Sequence, residues 1–175
     1  MRMRIWLGLC VSLIAATASA QPKPDFTGEW SLVAQDNGAT DAAPTLSVRH
    51  WFEHVTSPRG VPVDIPHLAI ERRFGTDVNS EHYQIGLSGG VVGGVAGGVV
   101  PGSVPGWSTR FLVTWDGDTL VISIGKYSGP ARESGPYSER DEAWSLAAPD
   151  SLVITVTERS AGAEPRTVKL KYGKP

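Results

Sequence analysis

Short windows in which apolar and polar residues alternate constrain this chain more than any other feature of its sequence. A period of two residues is typical of strands that bury one face, and no stretch of ten or more residues has an apolar stripe at helical spacing. Short strands without crossover helices predict an antiparallel meander. About nine windows qualify, over residues 28–34, 45–50, 67–74, 80–86, 108–115, 119–126, 139–146, 151–158 and 166–172.

Two turn sequences connect neighbouring windows. Asp116-Gly117 tolerates the positive backbone angles of a tight hairpin, so windows 108–115 and 119–126 are expected to pair. Ala148-Pro149-Asp150-Ser151 is expected to connect the next two windows in the same antiparallel manner. A meander with free edges invites aggregation, and closure removes those edges. We therefore predict an all-β fold, an antiparallel up-and-down barrel of eight to nine strands, with an open β-sandwich as the alternative.

The first twenty residues have the three parts of an export signal. Arg2 and Arg4 precede an apolar stretch over residues 5–16, and Ala18-Ser19-Ala20 provides the cleavage site. The apolar stretch is shorter than the roughly 20 residues that a membrane-spanning helix needs. We predict a signal peptide over residues 1–20, cleavage after Ala20, a single domain over residues 21–175, no transmembrane segment after cleavage, and a periplasmic or secreted protein.

Charge and cysteine content exclude several classes of function. Cys10 is the only cysteine and lies in the predicted signal, so the mature chain would have no disulfide, thiolate metal site or cysteine nucleophile. Removal of Arg2 and Arg4 leaves 14 basic residues against 18 acidic ones, a net charge of −4 with neutral histidines. That balance argues against nucleic acid or an anionic membrane surface as a partner.

Residues 88–106 form a low-complexity segment in which Gly-Gly recurs every four residues, with valines between. No Lys-Ser or Lys-Thr pair follows the glycines, so the segment is not a phosphate-binding loop of the usual kind. Glycines make ordering costly in entropy, which favours a loop between two strands. The alternatives are an apolar flap over a barrel mouth and a patch that contacts a partner or a membrane.

Three short motifs carry a family resemblance. They are Phe26-Thr27-Gly28-Glu29-Trp30, the hairpin from Trp115 to Ile122, and Trp144-Ser145-Leu146. Together they resemble lipocalins and related calycin barrels, and in particular a group of small exported bacterial proteins. The resemblance implies that Gly28 and Trp30 lie at the barrel floor. It also implies a basic side chain over the floor tryptophan, for which Arg159 and Arg166 are the candidates.

The residues that could support catalysis or bind a metal lack the required patterns. Gly-x-Ser-x-Gly is absent. Of the carboxylate pairs that a glycosidase would need, Asp116 with Asp118 is better explained by the hairpin turn and Asp141 with Glu142 by a solvated strand entrance. His50 and His54 are four residues apart, which in an extended strand separates their rings by roughly 13 Å, too far for one metal ion. We predict no catalytic residue, no metal site and no cofactor.

A ligand-binding barrel needs an apolar interior with a few polar groups near one mouth. Parity turns inward the apolar residues Trp30, Leu32, Leu68, Ile70, Tyr83, Ile85, Phe111, Val113, Trp144 and Leu146. The same parity turns Arg72, Arg140 and Glu142 inward at strand ends, where an arginine could pair with a carboxylate-bearing apolar ligand. An ion pair of these arginines with Glu142 is the structural alternative. The predicted ligand-binding residues are Arg72, Tyr83, Arg140, Glu142 and Trp144.

Three functional hypotheses follow, in order of preference. The first is an exported barrel that binds a small hydrophobic or amphipathic ligand without catalysis. The second is an envelope protein that binds a protein partner through the Gly/Val-rich segment or a sheet edge. The third is a hydrolase that uses carboxylates or histidines.

Overall fold

The computed structural model describes residues 22–36, 42–86, 90–91, 107–128 and 136–175. The predicted signal peptide over residues 1–20 and most of the Gly/Val-rich segment lie outside these residues. Within the described part of the chain, no helix is long and apolar enough to cross a membrane.

Every predicted window forms a strand, and all strand pairs in the described sheet are antiparallel. The all-β prediction and the strand count are confirmed, with one additional two-residue strand, β5, inside the Gly/Val-rich segment. The strands are β1 Gly28–Gln35, β2 Thr45–Thr56, β3 Pro62–Phe74, β4 Asp77–Gln84, β5 Gly90–Val91, β6 Trp107–Asp116, β7 Thr119–Ser128, β8 Ser138–Ala148, β9 Ser151–Ser160 and β10 Arg166–Gly173.

One sheet curls into a nearly closed barrel, as predicted, and the open sandwich is not formed. The strand order is β4-β3-β2-β1-β10-β9-β8-β7-β6-β5, so β1 joins the last strand of the chain. The Gly86 N–H donates to the Val113 carbonyl oxygen at 2.8 Å and links the segment after β4 to β6. The Tyr83 and Phe111 rings meet edge to face, with centroids 5.0 Å apart. Closure is therefore made by backbone and side chains together.

The barrel has two different ends, which we call the floor end and the mouth end. At the floor end, β1 begins and the β6–β7 and β8–β9 hairpins turn; at the mouth end, β3 turns into β4 and β8 begins. The inward parity expected from the sequence is confirmed. Trp30, Leu68, Ile70, Tyr83, Ile85, Val113 and Trp144 are buried, and Leu32, Phe111 and Leu146 pack against them.

Aromatic side chains fill the floor end. Phe26, just before β1, is completely buried, stacks on Trp115 at 5.9 Å and meets Trp144 edge-on at 6.0 Å. The Trp30 indole N–H donates to the Phe26 carbonyl oxygen at 2.9 Å, which ties the segment before β1 to the interior. Phe26, Trp30 and Trp144 are fully buried, and the partly buried Trp115 packs against this core at the floor end.

The basic group over Trp30 comes from a residue that the sequence pattern did not indicate. Lys174 Nζ lies 5.1 Å from the centroid of the Trp30 ring, within the range of a cation–π contact. The expectation that Arg159 or Arg166 takes this place is wrong. Arg159 lies one residue before the end of β9 and Arg166 begins β10, which places both at the mouth end, and Arg159 pairs there with Asp141.

Gly28 has a backbone angle φ of 139°, which residues with a Cβ rarely adopt. We expect Gly28→Ala to lower the free energy of unfolding by about 1–3 kcal/mol, the usual cost of such backbone strain. Urea denaturation followed by tryptophan fluorescence would measure the change. Glu29→Ala, at the exposed next position, is the control and should change stability by less than about 0.5 kcal/mol. Equal effects of the two substitutions would contradict a special role for Gly28.

Candidate ligand-binding cavity

The mouth end of the barrel holds a cavity of about 630 Å³ between β3, β4, β6, β7, β8 and β9. Part of its wall is apolar, made by Phe74, Tyr83, Phe111 and Ile124. The rest is polar and includes seven charged side chains: Arg72, Glu81, Lys126, Glu139, Arg140, Glu142 and Glu158. The interior therefore changes from aromatic and aliphatic at the floor to charged at the mouth.

The two-residue period of the strands explains why charged side chains face inward at the mouth end. On β3 the buried Leu68 and Ile70 are followed, two residues on, by Arg72. On β8 the inward face runs from Arg140 through Glu142 to Trp144. Because side chains two residues apart share a face, each strand carries its charge inward on the same side as its core residues.

Glu142 is the centre of a buried ionic network. Its side chain is 1% exposed, and its carboxylate accepts hydrogen bonds from Arg72 Nη2 at 2.7 Å, Arg140 Nε at 2.9 Å and Trp144 Nε1 at 3.0 Å. Burial by itself raises the pKa of Glu142, but the charges of Arg72 and Arg140 outweigh it and hold the pKa below its ordinary value of 4.5. Glu142 is therefore ionised at neutral pH.

Two further carboxylates extend the network toward the mouth. Glu81 Oε2 accepts from Arg72 Nε at 3.3 Å and from the Tyr83 hydroxyl at 3.0 Å. Glu158 Oε1 accepts from Arg140 Nη1 at 2.9 Å. Burial and the nearby Glu81 raise the pKa of Tyr83 far above its ordinary value, so the phenol keeps its proton and remains a donor.

Arg72 is the most enclosed cation of the network. Burial alone would lower its pKa, but Glu142 and Glu81 more than compensate and raise it. Its guanidinium carbon lies 5.9 Å from the centroid of the Trp144 ring, which adds a cation–π contact. The side chain is held on three sides and has little freedom to reorient.

The structure brings together four of the five residues proposed from sequence to bind a ligand. Arg72, Tyr83, Arg140 and Glu142 line the cavity, whereas Trp144 lies beneath Glu142 in the filled part of the barrel. The ion pairs of both arginines with Glu142, which the sequence allowed as the structural alternative, are present.

Sequence reasoning missed Glu81 and Glu158. A signal for both exists in the alternation. Glu81 shares the inward face of β4 with Tyr83, and Glu158 continues on β9 the face of Ile154 and Val156. Each lies two residues nearer the mouth than an inward-facing residue of the same strand, and alternation therefore predicts that it faces inward.

The histidines and the turn carboxylates lie elsewhere. His50 and His54 both belong to the extended strand β2; His50 packs edge-on against Phe26, and His54 pairs with Asp64 at 2.6 Å. Asp116 and Asp118 flank Gly117 in the β6–β7 turn, where the glycine φ is 55°. Among the described residues there is no group of three or more side chains arranged to hold a metal ion.

The strand order, the near closure and the cavity at one end define an all-β lipocalin-like barrel. No protein-family model matches the chain, and no curated protein matches it. Among solved structures the chain is similar to the fluorescent protein UnaG, with 14% sequence identity and a TM-score of 0.43, over 86% of this chain and 97% of that one. Similarity at this TM-score gives no information about function.

We expect Glu142→Gln to lower the free energy of unfolding by about 3 kcal/mol at neutral pH, because it removes the shared charged partner of the enclosed Arg72 and the partly exposed Arg140. The pKa of Glu142 is depressed in the folded state, so its contribution exists above pH 4.5 and is lost as pH falls through the folded pKa. The stability difference between wild type and variant should therefore shrink in acid. Urea denaturation at a series of pH values would measure it.

Asp141→Asn is the matched control for Glu142→Gln. Asp141 precedes Glu142 on β8 and pairs with Arg159 at a partly exposed site, where an ion pair is worth about 1 kcal/mol or less. Equal losses of stability in the two variants would contradict the central role of Glu142.

Proposed function

We propose that this protein binds a small amphipathic molecule in the mouth-end cavity and that it does so without catalysis. The observation that carries the proposal is the open space of about 630 Å³ above a filled floor. That volume falls in the range of about 300–1,000 Å³ typical of small-molecule sites. A barrel that only needed a stable core would fill this space with side chains, as it does around Trp30 and Trp144.

The composition of the wall supports an amphipathic ligand. Tyr83, Phe111 and Ile124 offer an apolar surface, and burial of apolar ligand area against it is worth roughly 25 cal/mol per Å². The charged network around Arg72 and Glu142 offers fixed polar groups that orient a ligand. Because Glu142 holds these groups in place before any ligand arrives, little ordering remains to oppose binding.

A neutral hydrophobic dye such as Nile red tests the proposal. We expect its fluorescence to rise on binding to the wild-type protein and Thr109→Trp to weaken binding at least about tenfold, because the indole would occupy the cavity that Thr109 lines. Thr114→Trp is the matched control, the same change on the other face of β6, and should bind the dye normally. Equal dye binding by both variants would place the dye outside the cavity and reject the proposal.

We also propose that the protein is exported to a periplasm or secreted, on the support of the charged, apolar and small-residue parts of residues 1–20. Intact-mass measurement of protein isolated from its source should give a chain that begins at Gln21. A chain that retains residues 1–20 would reject cleavage after Ala20.

Binding of an envelope protein is a second candidate function, favoured by one observation. The outer parts of β2 and β3, residues 51–56 and 62–66, pair with each other beyond the stretch in which β2 pairs with β1. Phe52, 62% exposed, and Val63, 42% exposed, lie on opposite faces of this hairpin, and Val61 at its turn is 56% exposed. A partner that enclosed the hairpin would cover all three. A protein bound there would leave the cavity free.

A further inference from the structure

The arginines around the cavity are already engaged within the protein. Arg72 is only 11% exposed and donates to Glu142 and Glu81. Arg140 uses Nε for Glu142 and Nη1 for Glu158. Each arginine therefore has two carboxylates beside it, so a ligand carboxylate that approached either guanidinium group would also meet two like charges.

The outer carboxylates are more accessible. Glu81 is 31% exposed and Glu158 is 40% exposed, whereas Glu142 between the arginines is 1% exposed. Glu81 accepts its hydrogen bonds through Oε2 and Glu158 through Oε1, so each has one further carboxylate oxygen without a partner among the described residues. Among the described residues these oxygens leave negative charge without a direct partner, and a cation can neutralise it whether or not it donates a hydrogen bond.

The net charge of the ionic network in the cavity is also negative. The ionic network on the inward face holds three carboxylates, Glu81, Glu142 and Glu158, against two arginines, a net charge of −1; the exposed Lys126 lies at its edge, and Glu139 on the other face of β8 pairs with Arg159. The negative excess lies at Glu81 and Glu158, since Glu142 is already shared by two arginines. Three aromatic rings, Phe74, Tyr83 and Phe111, line the same cavity, and the faces of such rings attract cations.

We infer that the cavity selects an organic cation, an ammonium or quaternary ammonium group on an apolar body. The inference rests on the proposed ligand-binding function and replaces the carboxylate-bearing ligand expected from sequence alone. The cationic group lies between Glu81, Glu158 and the aromatic rings, and the apolar body lies against Phe111 and Ile124. The three carboxylates of the network are then matched by three positive charges.

Competition for bound Nile red by three ligands with the same alkyl chain tests the inference. The ligands are an alkyl trimethylammonium, an alkyl carboxylate and an alkyl alcohol, used at low ionic strength and below their micelle concentrations. We expect the trimethylammonium ligand to bind about tenfold more tightly than the carboxylate ligand. Added salt should reduce this preference, because the accessible carboxylates are partly exposed.

Variants that remove a carboxylate charge test which residues cause the preference for a cationic ligand. Glu81→Gln and Glu158→Gln should each weaken binding of the trimethylammonium ligand several-fold relative to binding of the alcohol. Glu29→Gln, at the exposed floor end, is the control and should leave the preference as in wild type. Thermal unfolding of each variant shows whether it is folded. The competition experiment on the wild-type protein does not depend on the variants.

The outcomes separate the inference from the proposed function. Equal or tighter binding of the carboxylate ligand by the wild-type protein overturns the cation preference, while the cavity remains a ligand site. Failure of Nile red and of all three ligands to bind overturns both. An unchanged preference in the folded Glu81→Gln and Glu158→Gln variants places the cation elsewhere and overturns the assigned site.

Discussion

The contact of Glu142 with Arg72 and Arg140 is the interaction on which the rest of the barrel interior depends. A carboxylate that is 1% exposed cannot stay ionised without compensation, and two guanidinium groups provide it here. Arg72 lies on β3 and Glu142 on β8, strands that are not neighbours in the sheet. The hydrogen bond of 2.7 Å between them crosses the barrel and connects its two walls.

This cross-barrel contact separates two regions with different roles. On the floor side, Phe26, Trp30 and Trp144 fill the space and supply apolar burial. On the mouth side, the side chains leave a cavity whose charged groups are already fixed in position. A buried ionic network is weak evidence of stability in itself, since well-packed apolar residues often replace one without loss. Its position at the base of an open cavity agrees with the proposed ligand binding, for which the network would hold polar groups in place.

The strands and the inward faces could be predicted from alternation because both follow from local geometry. A period of two residues fixes which side of a strand each residue occupies, so alternation alone is enough to turn Arg72, Arg140 and Glu142 inward. Glu81 and Glu158 were missed because the inward face of β4 and β9 was not followed to the mouth end. Lys174, which lies over Trp30, was missed because it follows the last window and shows no alternation.

The sequence by itself determined the strands, their turns and the face on which each side chain lies, since these depend on residues close together in the chain. Only the tertiary structure decided which inward charges meet and how much space remains above them. Arg72 and Glu142 are 70 residues apart, and their distance is set by the curvature of the whole sheet. Curvature arises from hydrogen bonds between all neighbouring strands and from closure at Gly86 and Val113, which no local pattern in the sequence records.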